Sequence, residues 1–150
     1  MKKFSHIDPQ GAAQMVDVSA KPNAVREAVA RGEISLQPAT IEAIEQNQIA
    51  KGNVFATARV AGILAAKKTG DLIPLCHPLA ITHCAVHFEI PASRDRVIIT
   101  ASAKITATTG VEMEALTAVS IAALTIYDMC KAVDKTMCVN NIHLVSKTKK

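Results

Sequence analysis

Aromatic residues make up only 3% of this chain, and tryptophan is absent. A stacking platform for single-stranded nucleic acid needs aromatic faces, so that class is disfavoured. The core must instead be aliphatic, drawn from the 49% of residues that are hydrophobic. No CxxC pair occurs among the four cysteines, Cys76, Cys84, Cys130 and Cys138, which argues against a zinc ribbon or a thioredoxin motif. Cys76, Cys84 and Cys130 sit among apolar residues, as reduced cytosolic thiols do. The start, MKKFSHIDPQG, has two lysines but no apolar stretch after them, so it does not read as a signal peptide. The longest uncharged helical run reads as too short, and too rich in Thr and Ser, to span a bilayer. A Walker loop, a GxGxxG fingerprint, a serine-centred nucleophile motif, internal repeats and low-complexity segments are all missing. A cytoplasmic protein is expected.

What is present fits one domain of 150 residues with ample apolar content for a core. The net charge is +4, and three lysines of the closing SKTKK supply much of it. That tail, residues 147–150, reads as a solvated, mobile end. A positive balance also suits an anionic ligand. Residues 1–22 read as a flexible arm with one short strand at 14–18. Residues 21–30 suggest a helix, with Pro22 in its first turn and Gly32 as its stop. Pro38 opens an amphipathic helix, ATIEAIEQNQ, whose Ile41, Ile44 and Ile49 pack while Glu42 and Glu45 face water. VFATARVAGILAAKK is a third helix, ended by Lys67, Lys68 and a left-handed Gly70. The loop DLIPLCHPLA follows. ITHCAVHFEI and RVIITASAKIT alternate as strands around a PASRD turn. A long apolar helix and a last strand, MCVNNIHLVS, complete the chain. The order predicts an α+β sandwich of ferredoxin-like type, an antiparallel sheet with helices on one face. Two helices this apolar exceed what one sheet face can cover, so a homo-oligomer with shared sites is expected.

The stretch TGVEMEALTAVSIAALTIYDMCKAVDK, residues 109–135, is the most informative. Between Ala115 and Tyr127 it carries no charge; then come Asp128 and Lys131, three apart and on one helical face. The same stripe runs back through Leu124, Ile121, Thr117 and Glu114. A helix apolar nearly all round is expected to be buried. A buried acid and ammonium are costly unless paired or used, which makes the pair a candidate for chemistry. Desolvation would lower the lysine's pKa towards neutrality for proton transfer. The plain alternative is an ordinary helical ion pair. Lys51 stands beside Gly52, where backbone can approach a ligand, and reads either as a phosphate or acid–base contact or as a surface lysine. His77 lies between Cys76 and Pro78 in a loop stiffened by two prolines, and reads as a held site residue or a turn histidine. His83, His87 and Glu89 share a strand face; a metal triad is conceivable, but the polar positions of a half-exposed strand explain them better. His6 and His143 have no supporting context. Thr109 either caps the long helix or belongs with Gly110 to an anion site. Glu112, Met113 and Glu114 can form a pocket wall whose carboxylates read a donor-rich ring edge.

Taken together, KGNVFATARVAGILAAKKTGDLIPLCHPL and the 109–135 block strongly resemble the molybdenum cofactor biosynthesis protein C family, the cyclic pyranopterin monophosphate synthases. FSHID and MVDVS near the start fit the same family, and the resemblance covers nearly the whole chain. It implies a ferredoxin-like homohexamer, a trimer of dimers with active sites at subunit interfaces. It also implies a lyase that converts (8S)-3',8-cyclo-7,8-dihydroguanosine 5'-triphosphate, a small molecule derived from GTP, to cyclic pyranopterin monophosphate with loss of pyrophosphate. By that resemblance Asp128, Lys131 and Lys51 are catalytic. Leu75, Cys76, His77, Glu112, Met113 and Glu114 contact substrate. Position 108 is Thr where relatives often carry a basic residue, which removes any phosphate contact there. No metal is implied; Mg2+ can accompany the triphosphate, but no carboxylate cluster dedicated to it is evident.

The chemistry suits lysine twice over. Charged, it stabilises departing pyrophosphate; neutral, it serves as a base. Rival readings are a non-catalytic module that binds GTP or a pterin and leaves it intact, and an RNA-binding ferredoxin-like domain. The second predicts aromatics on the central strands, where only Phe88 occurs.

Overall fold

Alternation along residues 24–35 decides the centre of the protein. In the computed structural model, which describes residues 5–150, this stretch is a strand, β1 (Ala24–Ser35), not the helix expected at 21–30. Ala28, Ala30 and Ile34 are buried while Glu27 and Arg31 beside them are exposed, the two-residue period of a strand. β1 is flanked on both sides. It pairs antiparallel with β3 (Arg96–Ala107) and with β4 (Cys138–Lys149), while β2 (His83–Glu89) forms the far edge beside β3. The sheet order is β2-β3-β1-β4. Tertiary pairing therefore overrides a local sequence that also suited a helix.

Gly32 is not a helix stop. A Cβ at that position would come within 2.7 Å of Val119 Cγ1 and 2.9 Å of Ile142 Cγ1, so glycine lets a helix and β4 close on the central strand. The helices all pack on one face: α1 (Pro38–Glu45), α2 (Val54–Lys67), the single turn α3 (Thr69–Leu72) and α4 (Glu112–Cys130). With β1, β2, β3 and β4 they give the order β-α-β-β-α-β around a four-stranded antiparallel sheet. The helices that were expected to begin at Pro38 and Val54, the two strands and the long apolar helix are all present.

Small side chains set the packing. Gly62 of α2 faces Ala118 and Ala122 of α4, and a Cβ on Gly62 would meet the Ala118 carbonyl at 2.9 Å. The core between helices and sheet is correspondingly aliphatic, with Ile34, Ile41, Ile99 and Ile126 fully buried. α4 is long and apolar enough to cross a membrane by length and composition, contrary to the sequence reading, yet half of that window is buried inside the protein. It is a core helix.

Other local expectations change. Gly70 sits inside α3 rather than ending α2 in a left-handed turn; a Cβ there would meet Pro78 Cα at 3.1 Å. Residues 14–18 form no strand; the described part of the arm holds one isolated bridge, Ile7 to Ala13. The first four residues of the expected arm lie outside the described residues. The closing lysines are not frayed: Lys147 and Lys149 extend β4 along Ala28 and Arg26, and Val25 and Lys150 exchange backbone hydrogen bonds.

Candidate active site

Two groups of selected residues emerge, at opposite ends of α4. The first lines a pocket of about 570 Å³ at the helix's N-terminal end. Leu75, Cys76 and His77 come from the proline-stiffened loop after α3, and Glu112, Met113 and Glu114 from the first turn of α4. All six meet there although 35 positions separate His77 from Glu112 in the chain. The arm closes the remaining side through Val16 and Val18, with His6 and Lys21 also in the wall. His77 is the latch. Its Nε2 lies 2.7 Å from the Val16 carbonyl, which can only accept, so Nε2 carries the proton and Nδ1 is left for a ligand.

The two carboxylates of this wall differ. Glu114 is only 3% exposed. Burial pushes its carboxyl up, and the neighbouring Glu112 adds to that, against the opposing pull of His77. Burial acts on Glu112 in the same direction, but there the hydrogen bond from Lys147, at 2.9 Å, and the charge of Arg26 outweigh it and hold that carboxyl below its ordinary value. Two acids two positions apart are thus pulled in opposite directions, a pattern suited to reading hydrogen-bond donors on a ring. Burial, with Glu114 nearby, raises the Cys76 thiol, which disfavours the thiolate there. Thr109 does not cap α4: the residue before its first turn is Val111, with no side-chain cap.

The second group stands at the C-terminal end of α4. Lys51, in the turn before α2, donates from Nζ to Asp128 Oδ2 at 2.7 Å and to the Asp128 carbonyl at 3.0 Å. Lys131 reaches the other carboxylate oxygen of Asp128 at 2.9 Å. The Lys51 hydrogen bond, then that of Lys131, pulls the Asp128 carboxyl down to about 2. The expectation of burial fails here within the protomer. Asp128, Lys51 and Lys131 are all about half exposed, because the stripe of Asp128 and Lys131 is the outward one, with Leu124 and Tyr127 also exposed. Accordingly Lys131 is not pushed towards neutrality: the hydrogen bond and charge of Asp128 raise it. It remains an ammonium.

The first and second groups do not meet in one chain. Glu114 and Asp128 lie fourteen residues apart on one straight helix, about 21 Å at 1.5 Å per residue. Of the remaining candidates, His83, His87 and Glu89 line the uncovered face of β2, and His143 hydrogen-bonds the Asn141 carbonyl. Among the described residues no group of three or more His, Cys, Asp or Glu is placed to hold a metal ion. Sequence reasoning missed Lys21 and His6 as pocket residues. Only the fit of FSHID and MVDVS to a family pattern hinted that the arm belonged to the site.

Comparison with known proteins adds the following. A family model described as the MoaC family matches residues 15–150. A cyclic pyranopterin monophosphate synthase from Clostridium botulinum (strain Alaska E43 / Type E3) is 56% identical over 146 residues, covering 97% of this chain and 92% of the relative. Enzymes of the same name from Heliobacterium modesticaldum and Roseiflexus sp. are 56% and 53% identical over 148 residues; each alignment covers 99% of this chain, and 93% and 94% of those relatives.

Proposed function

The chain belongs to the MoaC family, and from that premise we infer that it is a lyase of molybdenum cofactor biosynthesis, a cyclic pyranopterin monophosphate synthase. Its substrate is the cyclised dihydro-GTP triphosphate, and its products are cyclic pyranopterin monophosphate and pyrophosphate. In the phosphorus step a sugar hydroxyl oxygen attacks the α-phosphorus. The bond from that phosphorus to the bridging oxygen breaks, and pyrophosphate leaves with the electron pair. The hydroxyl proton passes to a base or to water.

The observation that carries this reading is the convergence of Lys51 on Asp128 across 77 positions, beside Lys131. The sequence singles out Asp128 and Lys131 as a pair and Lys51 apart from them. Two ammoniums held by one carboxylate form a compact cationic centre for a transition state that gathers negative charge. Lys131, oriented by Asp128, delivers protons as an acid, and Lys51 meets developing charge on phosphate or ring. The pocket formed by Leu75, Cys76, His77, Glu112, Met113 and Glu114 takes the ring system, with Glu114 and Glu112 accepting from its N–H groups. His77 Nδ1 serves as the pocket's acceptor or base.

A separation of about 21 Å along α4 is too long for one substrate to bridge within a protomer. We therefore assign the working site to a seam between protomers of a ferredoxin-like homohexamer, one subunit giving the lysine–aspartate centre and another the ring pocket. Exposed Val60 and Leu64 on α2 and Leu124 and Tyr127 on α4 supply the apolar surface such a seam covers. Covering it would also withdraw the lysines from water. The reaction belongs in the cytoplasm and needs no resident cofactor; magnesium would arrive with the triphosphate.

The test is pyrophosphate release from the cyclised dihydro-GTP substrate by the purified chain. Wild type should form product, and Lys131→Ala should bind substrate without turning it over, with the oligomer intact by light scattering. Normal turnover by that variant would remove Lys131 from the mechanism. Binding by wild type without any pyrophosphate release would leave a non-catalytic module.

A further inference from the structure

The arm that walls the ring pocket is held to the body of the protein by very little. Residues 5–23 include no buried residue, and only Asp8, Val16 and Val18 among them are half-buried. Yet Ser5, His6, Val16, Val18 and Lys21 of this segment line the pocket. The order within the arm is local. Asp8 Oδ1 accepts from the N–H groups of Gln10 and Ala12, at 2.9 and 2.8 Å, and closes a turn. Ile7 bridges Ala13, and the Gln14 N–H donates to the His6 carbonyl at 3.0 Å. The result is a small hairpin that carries His6 and leads into Val16. Among the described residues, one hydrogen bond joins residues 5–21 to the rest of the chain, the one from His77 Nε2 to the Val16 carbonyl.

A segment with no buried side chain and one outside hydrogen bond opens at little cost in free energy. Its balance between open and closed is therefore set by that one bond. The two nitrogens of the His77 ring are not independent, because a neutral imidazole carries hydrogen on only one of them. Val16 offers a carbonyl, so the bond needs that hydrogen on Nε2. A ligand N–H that donates to Nδ1 needs the same tautomer. The other tautomer would set N–H against N–H in the pocket and leave the Val16 carbonyl facing a lone pair. Binding on one side of the imidazole thus favours the bond on the other.

We propose that the arm is a strap that closes over the ring pocket as substrate binds, with His77 as its substrate-sensitive catch. A ring donor at Nδ1 holds the proton on Nε2, and that proton holds Val16. The proposal rests on the reading of this pocket as the ring site and adds how the site closes. Closure brings the His6 hairpin, Val16 and Val18 against the bound ring and commits it to the pocket. The coupling is reciprocal: the ring steadies the strap as much as the strap steadies the ring.

The experiment is hydrogen exchange of the full chain read by mass spectrometry, on Lys131→Ala so that the cyclised dihydro-GTP substrate is not consumed. Without substrate, the amides of residues 8–18 should exchange much faster than those of β1. Saturating substrate should slow them by about tenfold or more, the range of a coupling between two sites. Equal exchange with and without substrate, fast or slow, overturns the strap. Adding His77→Phe, which removes both nitrogens, should abolish the slowing. Adding His77→Gln, whose amide offers a donor for Val16 and an acceptor for the ring, should keep part of it. No difference between the two removes the catch, and the proposal with it. Asp8→Ala loosens the hairpin without touching the pocket wall. It should raise KM by about fivefold or more, with kcat and the melting temperature little changed; an unchanged KM also overturns the strap. Pyrophosphate release by wild type is read separately. No release, with an arm slowed by substrate, would sink the functional reading and leave the strap standing; normal release with an indifferent arm would do the reverse.

Discussion

Lys51 Nζ grips Asp128 twice, through the carboxylate at 2.7 Å and through the main-chain carbonyl at 3.0 Å. The second contact matters because the last carbonyls of a helix carry its negative end. An ammonium there is held by the helix terminus as well as by the side chain. Asp128→Asn would therefore leave Lys51 near its place but release Lys131 and remove the carboxylate's charge. The expected result is a fall in kcat of about a hundredfold or more, the scale of losing an oriented proton-transfer group. The melting temperature should hardly move, because all three side chains are about half exposed in the protomer. A loss of fold instead of activity would make the cluster structural.

The pH behaviour of this cluster follows from the two shifts. Asp128 is lowered from 3.8 to about 2, so its contribution to stability is present above 3.8 and is lost as pH falls through about 2. Lys131 is raised above 10.5, so its contribution is present below 10.5 and is lost as pH rises through the raised value. Between those limits neither group changes charge in the protomer. A pH–rate profile limited by this pair should be flat from about pH 5 to pH 9. A step near neutrality that disappears in Lys131→Arg would show that assembly drives the lysine towards neutrality.

Glu114 behaves in the opposite sense to Asp128. Burial, with Glu112 beside it, raises its carboxyl above 4.5. The stabilising difference belongs to the protonated form; it is full below 4.5 and disappears as pH rises through the raised value. Glu114→Gln should therefore be more stable than wild type at pH 7, and the advantage should fade by pH 4, measured as urea midpoints. Substrate affinity should fall in the same variant, because an amide offers a donor where the ring requires an acceptor. A variant with unchanged stability at both pH values would mean that Glu114 is solvated in the working protein.

How much of this was legible beforehand depends on range. α2, α4 and the β2–β3 pair follow from local periodicity and turn residues, and they were readable. β1 was not. Its residues suit a helix locally, and only pairing with β3 and β4, more than 60 residues away for the nearest, makes it the central strand. Gly32 shows the same limit: it looked like a terminator, while its reason is the approach of Val119 and Ile142 from two later elements. At its C-terminal end α4 carries Asp128 and Lys131 on its outward stripe, because Ala115, Ala118, Ala122 and Ile126 on the inward one already fill the core. An apolar composition all round could not say which side faced solvent. His77 was visible through its prolines, whereas Lys21 depended on where the arm folds.

Asp134 offers a test of the frame that holds the lysine–aspartate end in place. It is 2% exposed and accepts from the Gln37 N–H and the Thr40 hydroxyl at the start of α1, and from the N–H and hydroxyl of Thr136. Burial works to raise its carboxyl, but these hydrogen bonds win and hold it low. Asp134→Ala would strand several buried donors at once, a cost of about 2–4 kcal/mol. Urea unfolding at pH 7 should show it. The contribution is present above 3.8 and is lost as pH falls through the lowered value, so wild type and variant should converge in strong acid. A loss below about 0.5 kcal/mol would mean that water satisfies those donors.

The seam itself can be tested without a ligand-bound structure. His77→Ala damages the ring pocket and leaves the lysine–aspartate end whole; Lys131→Ala does the reverse. If each site draws its two halves from different subunits, unfolding and refolding the two inactive proteins together creates mixed pairs. In each mixed pair one site receives both intact halves and the other receives both damaged ones. With random pairing, half of the pairs are mixed and half of their sites work, so activity should return to about a quarter of wild type in a symmetric assembly. If each site were built within one chain, every site would carry one lesion and the mixture would remain inactive. The separation of about 21 Å between Glu114 and Asp128 along a rigid helix makes recovery the expected outcome.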